Sequence, residues 1–335
     1  MSHQPCTVVT GGTGFIGSHM VDLLLSLGFC VRVIDDMSLG RYSNLDHHKH
    51  NPALTIDEVD IRQLNSDNSI FKNVSYVFHF AGIGDIVPSI ERPSDYMSVN
   101  VQGTVKVLEA SRHAGVRKLI YAASSSCYGI ATTPTDEKAL IQPQYPYALS
   151  KYMGELACFH WHKVYGLPVN SIRIFNAYGI RSRTSGAYGA VMGVFLKQKL
   201  EGRPFTVVGD GTQKRDFIYA SDVAKAFLCA AETSIVGEIY NLGAGNPQSI
   251  NYLVELLQGP TVHLPKRPGE PDCTWANIDK ITQELGWKQT ISFEEGVSQM
   301  VANIEYWREA PLWDPESIAR STKLWFDRLS AEACL

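Results

Sequence analysis

Tyr147 and Lys151 stand four residues apart in YALSK, just after Pro146 and inside a run with helical spacing of apolar residues. That spacing puts a phenol and an ammonium on one helix face. A nearby ammonium favours phenolate and lowers a tyrosine pKa from its usual ~10, so the pair can move a proton on and off a hydroxyl group. Most Tyr and Lys residues at this spacing are plain surface pairs, so the chemistry must come from what surrounds them. Ser124, which opens the segment after Ala123 in YAASSSCYG, offers a hydroxyl that can hydrogen-bond the same substrate oxygen.

A second constellation is GGTGFIG, with Gly11, Gly14 and Gly17 between a β-rich run and a helical pattern. Side chains at these points would obstruct a tight turn, the approach of backbone to a pyrophosphate, or the packing of helix on strand. The helix start offers free N–H groups to the phosphates. Asp35 follows 18 positions after Gly17, at the end of the next β-rich run, where a carboxylate can accept both ribose hydroxyls. Its charge repels a 2′-phosphate, so NAD is expected rather than NADP. Arg32 and Arg41, close in sequence, pull the other way.

These residues need elements to hold them. Strands are expected at Cys6–Thr10, Cys30–Ile34, Leu54–Val59, Val74–Phe80, Lys118–Ala123 and Val169–Phe175, alternating with helical segments that include Asp95–Ala114 and Tyr147–Tyr165. The strands are near-continuous apolar runs, as expected when helices cover both faces of a parallel sheet. The fold class is therefore α/β: a Rossmann-type doubly wound parallel sheet with a smaller mixed α/β C-terminal substrate domain. The expected division is 1–176, with a return of about 211–242 through a helix at Ser221–Glu232 and a strand near Glu238–Leu242, and 177–335. The aromatic tail, with Tyr306, Trp307, Trp313, Trp325 and Phe326, reads as a packed terminal helix or a self-association surface.

The chain has 335 residues, about two domains at ~150 each, with 44% hydrophobic and 19% charged residues, which excludes a disordered or fibrous protein. A net charge of −4 with both signs scattered gives no footprint for nucleic acid or an anionic membrane. No signal-like or membrane-spanning apolar run is present, so a cytoplasmic protein is expected. Seven well-separated cysteines without a C-x-x-C pair signal neither a disulfide framework nor zinc. His47, His48 and His50 lie in a polar loop, DHHKHNPA, with no Cys or carboxylate constellation beside them, so no metal is expected there.

Together, GGTGFIG, Asp35, HFAG (His79 to Gly82), Asn100, SSSCYG, YALSK and RIFNAYG (Arg173 to Gly179) resemble the extended short-chain dehydrogenase/reductases, specifically the NAD-dependent nucleotide-sugar epimerase/dehydratase family, to about Gln299. The resemblance implies that Ser124, Tyr147 and Lys151 are catalytic. It implies cofactor contacts from Gly11, Gly14, Phe15, Ile16, Gly17, Asp35, Asp60, Ile61, Phe80, Ala81, Gly82 and Asn100, together with Tyr147 and Lys151. For the substrate, a nucleotide-diphosphate sugar, it implies Ser124, Ser125, Ser126, Asn176, Val207, Arg215, Arg267, Glu270 and Thr274. The two arginines suit paired phosphate oxygens. The resemblance also implies a homodimer, with the two long helices pairing across a four-helix interface.

Family dehydratases resemble one another in placing Asp and Glu after the catalytic Ser/Thr, where this chain has Ser125 and Ser126. Water elimination needs an acid and a base there, so dehydration is disfavoured and the triple serine resembles the 4-epimerases. The expected cycle takes a hydride from sugar carbon 4 to NAD while Tyr147 takes the hydroxyl proton, then returns the hydride to the opposite face. A small Thr274 leaves room for an N-acetyl group on carbon 2. Gly84-Asp85 departs from many epimerases, which leaves another sugar, nucleotide or carbon open. Two other classes, a 4-keto-sugar reductase and a non-catalytic NAD sensor, compete with this reading.

Overall fold

Strand β1 (Cys6–Thr10) is buried along its whole length, and a seven-stranded sheet forms around it. The computed structural model describes residues 5–182 and 191–329. In its first half, α1 (Phe15–Ser26), β2 (Cys30–Asp35), β3 (Leu54–Glu58), β4 (Val74–His79), α2 (Ile86–Glu91), α3 (Pro93–Met97), α4 (Thr104–Ala114), β5 (Lys118–Ser124), α5 (Pro146–Tyr165) and β6 (Val169–Ile174) follow in chain order. The second half holds β7 (Asn176–Tyr178), α6 (Val191–Leu200), β8 (Phe205–Val208), β9 (Lys214–Arg215), β10 (Phe217–Tyr219), α7 (Ala220–Glu232) and β11 (Ile239–Leu242). It ends with β12 (Gln248–Ser249), α8 (Ile250–Leu257), β13 (Thr261–Leu264), α9 (Asp279–Leu285), α10 (Phe293–Ala302) and α11 (Pro315–Leu329).

The sheet order is β11-β6-β5-β4-β1-β2-β3, with every pairing parallel. The chain runs outward from β1 to β3 and then returns to place β4 on the other side of β1. A crevice opens beyond the strand ends where the direction reverses, the place where open α/β sheets take ligands. Met20, Val21 and Leu24 of α1 and Val223, Ala224 and Phe227 of α7 cover one face; Val107 and Leu108 of α4 and Cys158 of α5 help cover the other. This two-sided cover is why the strands carry unbroken apolar runs.

Within the 211–242 segment, α7 packs on the sheet and β11 becomes its last strand, whereas β9 and β10 pair with β12 and β7 outside it. A separate core around Phe195, Phe205, Phe293 and Trp307 holds the second half together.

Three expectations change. The helix expected at Asp95–Ala114 begins at Pro93 and widens into a π-turn at Ser98–Gly103, where the Ile61 side chain packs so close to Gly103 that a Cβ there would lie 2.5 Å from it. Cys6 and Cys30 are not apart: paired strands set their sulfurs 3.0 Å from each other. The histidine loop does meet a carboxylate, because α1 brings Asp22 Oδ1 to 2.8 Å from His47 Nε2 and 2.9 Å from His48 Nε2; Arg181 holds the other Asp22 oxygen. No helix among the described residues is long and apolar enough to cross a membrane.

Candidate active site

The crevice widens into a cavity of about 760 Å³ that runs from the glycine turn to the C-terminal aromatic segment. At one end, Gly11 turns the chain at φ +70° and donates its N–H to Ile34 O at 2.7 Å. A Cβ on Gly11 would lie 2.7 Å from Ala81 N, and one on Gly17 would lie 2.1 Å from Gly11 O. Neither position has room for a side chain. Helix α1 then starts with Gly14 as its cap, with no side-chain hydrogen bond to the cap and no acid in its first turn. No acid within the helix's own first turn competes for its free N–H groups, which fits a diphosphate.

Asp35, at the end of β2, lines the same cavity and is buried. Its two oxygens accept from Thr13 N and Met37 N, each at 3.1 Å. Burial pushes its carboxyl pKa up, against these bonds. Arg32, three residues before it, turns away and donates to Ile70 O and Lys72 O, whereas Arg41 lines the cavity. Of the two arginines that weighed against NAD, one is therefore spent elsewhere.

Asp60, Ile61, Phe80, Ala81 and Gly82 also line this end, with Phe15 and Ile16. Asn100 does not reach the cavity, a correction to its expected cofactor contact. It is buried behind the loop, where its amide accepts from Ile83 N at 2.8 Å and donates to Ile83 O and to Ser150 Oγ. Its place is to hold the Gly82–Ile83 backbone against α5. His79, fully buried beneath, binds Thr10 and Thr104 through its two ring nitrogens; burial first, then the Lys151 charge, lowers its pKa to about 3, so it stays neutral.

At the centre, α5 presents Tyr147 and Lys151 to the cavity, and the end of β5 presents Ser124, Ser125 and Ser126. Ser124 and Ser126 share a short hydroxyl–hydroxyl hydrogen bond. Burial raises the Tyr147 pKa, Ser124 and Ser126 pull it back, and the Asp85 charge raises it further. Lys151, one turn along the helix, is itself buried, with its pKa lowered to about 8, and its ammonium sits 4.4 Å from the centre of the Tyr121 ring. The serine hydroxyls ease proton loss from Tyr147 against the cost of its burial.

Two cavity residues escaped the sequence reading of roles. Tyr145 stacks parallel to Tyr147 at 6.3 Å, and Asp85, on a backbone at φ +78° that few side chains adopt, lines the cavity and raises the Tyr147 pKa through its charge. Gly84-Asp85 was visible as a departure, but its proximity to Tyr147 depends on a left-handed turn that no spacing announces.

Toward the other end, Asn176, Arg215, Arg267, Glu270 and Thr274 line the cavity. Glu270 ties the two arginines together, at 2.7 Å from Arg215 Nη2 and 3.8 Å from Arg267 Nη1. Val207 is corrected: it is fully buried in the second core, and its strand neighbours Thr206 and Val208 face the cavity instead, as alternation along a strand requires.

A family model described as "NAD dependent epimerase/dehydratase family" matches residues 7–243. The chain belongs to this family. A putative UDP-glucose 4-epimerase of Methanocaldococcus jannaschii is 35% identical over 88% of this chain and 96% of its own. The UDP-N-acetylglucosamine 4-epimerase of Methanobrevibacter ruminantium, solved with UDP-N-acetylmuramic acid, superposes with a TM-score of 0.85 at 32% identity, covering 89% of this chain and 97% of that one. The UDP-glucuronic acid 4-epimerase of Bacillus cereus, solved with UDP-glucuronic acid and NAD, gives 0.83 at 31% identity over 90% and 99%. NAD is the family's cofactor, and the side-chain-free glycine turn, the uncapped helix start and Asp35 fit it.

Proposed function

We propose that this protein is a nucleotide-sugar 4-epimerase acting on a UDP-hexose or UDP-N-acetylhexosamine. The observation that carries the reading is the convergence of Ser124, Ser126 and Tyr147 at the strand ends between the glycine turn and the Arg215–Glu270–Arg267 cluster, with serines at 125 and 126. Similarity to the UDP-sugar 4-epimerases supports the nucleotide and the carbon.

NAD, when bound, supplies a hydride acceptor that becomes the hydride donor in the second half of the cycle. The protein's own part is proton management and grip. As the phenolate, Tyr147 takes the proton of the carbon-4 hydroxyl while Ser124 and Ser126 hydrogen-bond its oxygen, and the phenol so formed returns that proton to the keto oxygen after the sugar has turned over. Arg215 and Arg267 hold the diphosphate, so the intermediate stays bound while the sugar remains free to rotate. We propose that the two halves divide this labour: residues 1–176 with α7 and β11 hold the cofactor, and most of 177–335 holds the substrate. A homodimer belongs to the same proposal, because Leu149, Met153 and Leu156 form an exposed apolar stripe along α5. Light scattering that shows a monomer would remove it.

The decisive experiment incubates the purified protein with UDP-, dTDP-, CDP- and GDP-sugars without added cofactor and follows carbon-4 inversion by NMR. Inversion of a UDP-sugar is expected. Release of NADH would instead point to a net oxidoreductase that oxidises the sugar, and stoichiometric consumption of added NADH to a reductase. The charge of Asp85 acts on Tyr147, and loss of water in the same spectra would report a dehydratase.

A further inference from the structure

The C-terminal segment walls the cavity with residues that the proposed chemistry has not used, Trp313 and Trp325 among them. Helix α11 carries Trp325, and it lies well past the end of the family match at residue 243. Asp314 and Ser317 start the helix by exchanging hydrogen bonds, at 2.7 Å from Ser317 N to Asp314 Oδ1 and 2.9 Å from Asp314 N to Ser317 Oγ. Ile318, Thr322 and Trp325, spaced four and three apart, form its buried face, while Arg320, Lys323, Asp327 and Arg328 stay exposed. A helix this short is marginal in water by itself, so docking must hold it. It docks between α2, which continues the cofactor-side loop, and the turn at residues 267–270.

Trp325 makes two contacts with that turn. Its indole Nε1 donates to Pro268 O at 2.8 Å, and its ring lies 5.4 Å from the Arg267 guanidinium. The ring is 6% exposed, so the cation–π attraction acts with little water to screen it. Arg267 in turn shares Glu270 with Arg215. Fixing a loop carbonyl and a guanidinium at once removes the freedom that an arginine side chain otherwise gives up when it grips an anion.

We propose that Trp325 is a positioning residue that holds Arg267, and through Glu270 the arginine pair, in the orientation that grips the substrate diphosphate. This rests on the nucleotide-sugar reading above. A tryptophan that only packs would lower stability without changing how Arg267 binds a ligand.

The test is a double-mutant cycle on the NAD-loaded protein, with calorimetric binding of UDP, dTDP and GDP, which share the diphosphate. Trp325→Ala is expected to weaken the tightest of these about tenfold, equivalent to about 1.4 kcal/mol, with bound NAD retained. The same change made on Arg267→Ala is expected to add nothing. Trp325→Phe keeps a ring under the guanidinium and loses the Pro268 bond, so it falls between wild type and Trp325→Ala. Should Trp325→Ala not fold, the cycle with Trp325→Phe decides by the same criterion. Unchanged affinity in the single variants, or an equal loss with Arg267 absent, would overturn the proposal. Coupled binding in a protein that epimerises no nucleotide sugar would overturn the epimerase reading and leave the role of Trp325 standing; wild-type protein that binds none of the three would overturn both.

Discussion

Thr274 donates its hydroxyl hydrogen to Asn176 Oδ1 at 2.6 Å, tying together across the cleft two segments 98 residues apart in the chain. Both residues line the cavity, and the small threonine leaves room beside them. Thr274→Tyr breaks this bond and fills that room. Turnover of UDP-N-acetylglucosamine should fall about tenfold or more relative to UDP-glucose, read as the ratio of the two kcat/KM values. An unchanged ratio would separate Thr274 from sugar choice.

Removing the phenol oxygen tests the base directly. Tyr147→Phe keeps the stacking ring beside Tyr145 but has no proton to exchange, so kcat should drop by about 10²–10⁴ while NAD remains bound. Activity assays alongside the cofactor absorbance of the purified variant check both halves. Near-normal turnover would assign the proton transfer to another group.

Lys151 gives a pH dependence whose sign follows from its burial. Its pKa falls from 10.5 to about 8 in the folded protein, so below pH 8 the native state carries a buried cation that the unfolded chain would hydrate. Between about 8 and 10.5 the native state sheds its proton first, and the contribution of this residue to stability rises with pH. Lys151→Met should therefore be more stable than wild type at pH 7, with an advantage that shrinks by about 1–2 kcal/mol by pH 9.5. Denaturant melts of both proteins without bound nucleotide measure this, and an advantage that grows with pH would contradict it.

Arg173 of β6 and Glu155 of α5 form a buried pair, with Nη2 2.5 Å from Oε1 and both side chains almost wholly enclosed. Glu155→Ala leaves the guanidinium buried with its charge uncompensated, and should cost about 3–5 kcal/mol. Urea unfolding monitored by far-UV circular dichroism reads the loss. A cost under about 1 kcal/mol, the usual value of an exposed pair, would mean that water reaches the site.

Local order was legible in the residues themselves. The apolar runs separated by helical patterns placed the strands of the sheet to within about a residue, the glycine turn and Asp35 marked one end of the cavity, and Tyr147 and Lys151 shared a helix face as their spacing demanded. Errors arose where a side chain's surroundings were set by distant parts of the chain. Asn100 and Val207 face inward, because the π-turn and the strand alternation direct them there.

By itself, then, the sequence determined the alternation of strand and helix, the glycine turn and the pairing of phenol with ammonium, since each depends on neighbours a few positions away. Only the tertiary structure decided which groups act on the phenol. The hydroxyl of Ser126 and the charge of Asp85 act on Tyr147 from segments that follow different strands, and burial pushes the Tyr147 and Lys151 pKa values in opposite directions. Only the fold, likewise, laid Trp325 against Arg267, 58 positions earlier in the chain. Periodicity encodes which face of an element is apolar, while solvent exclusion and charge proximity arise only when remote elements close over the same space.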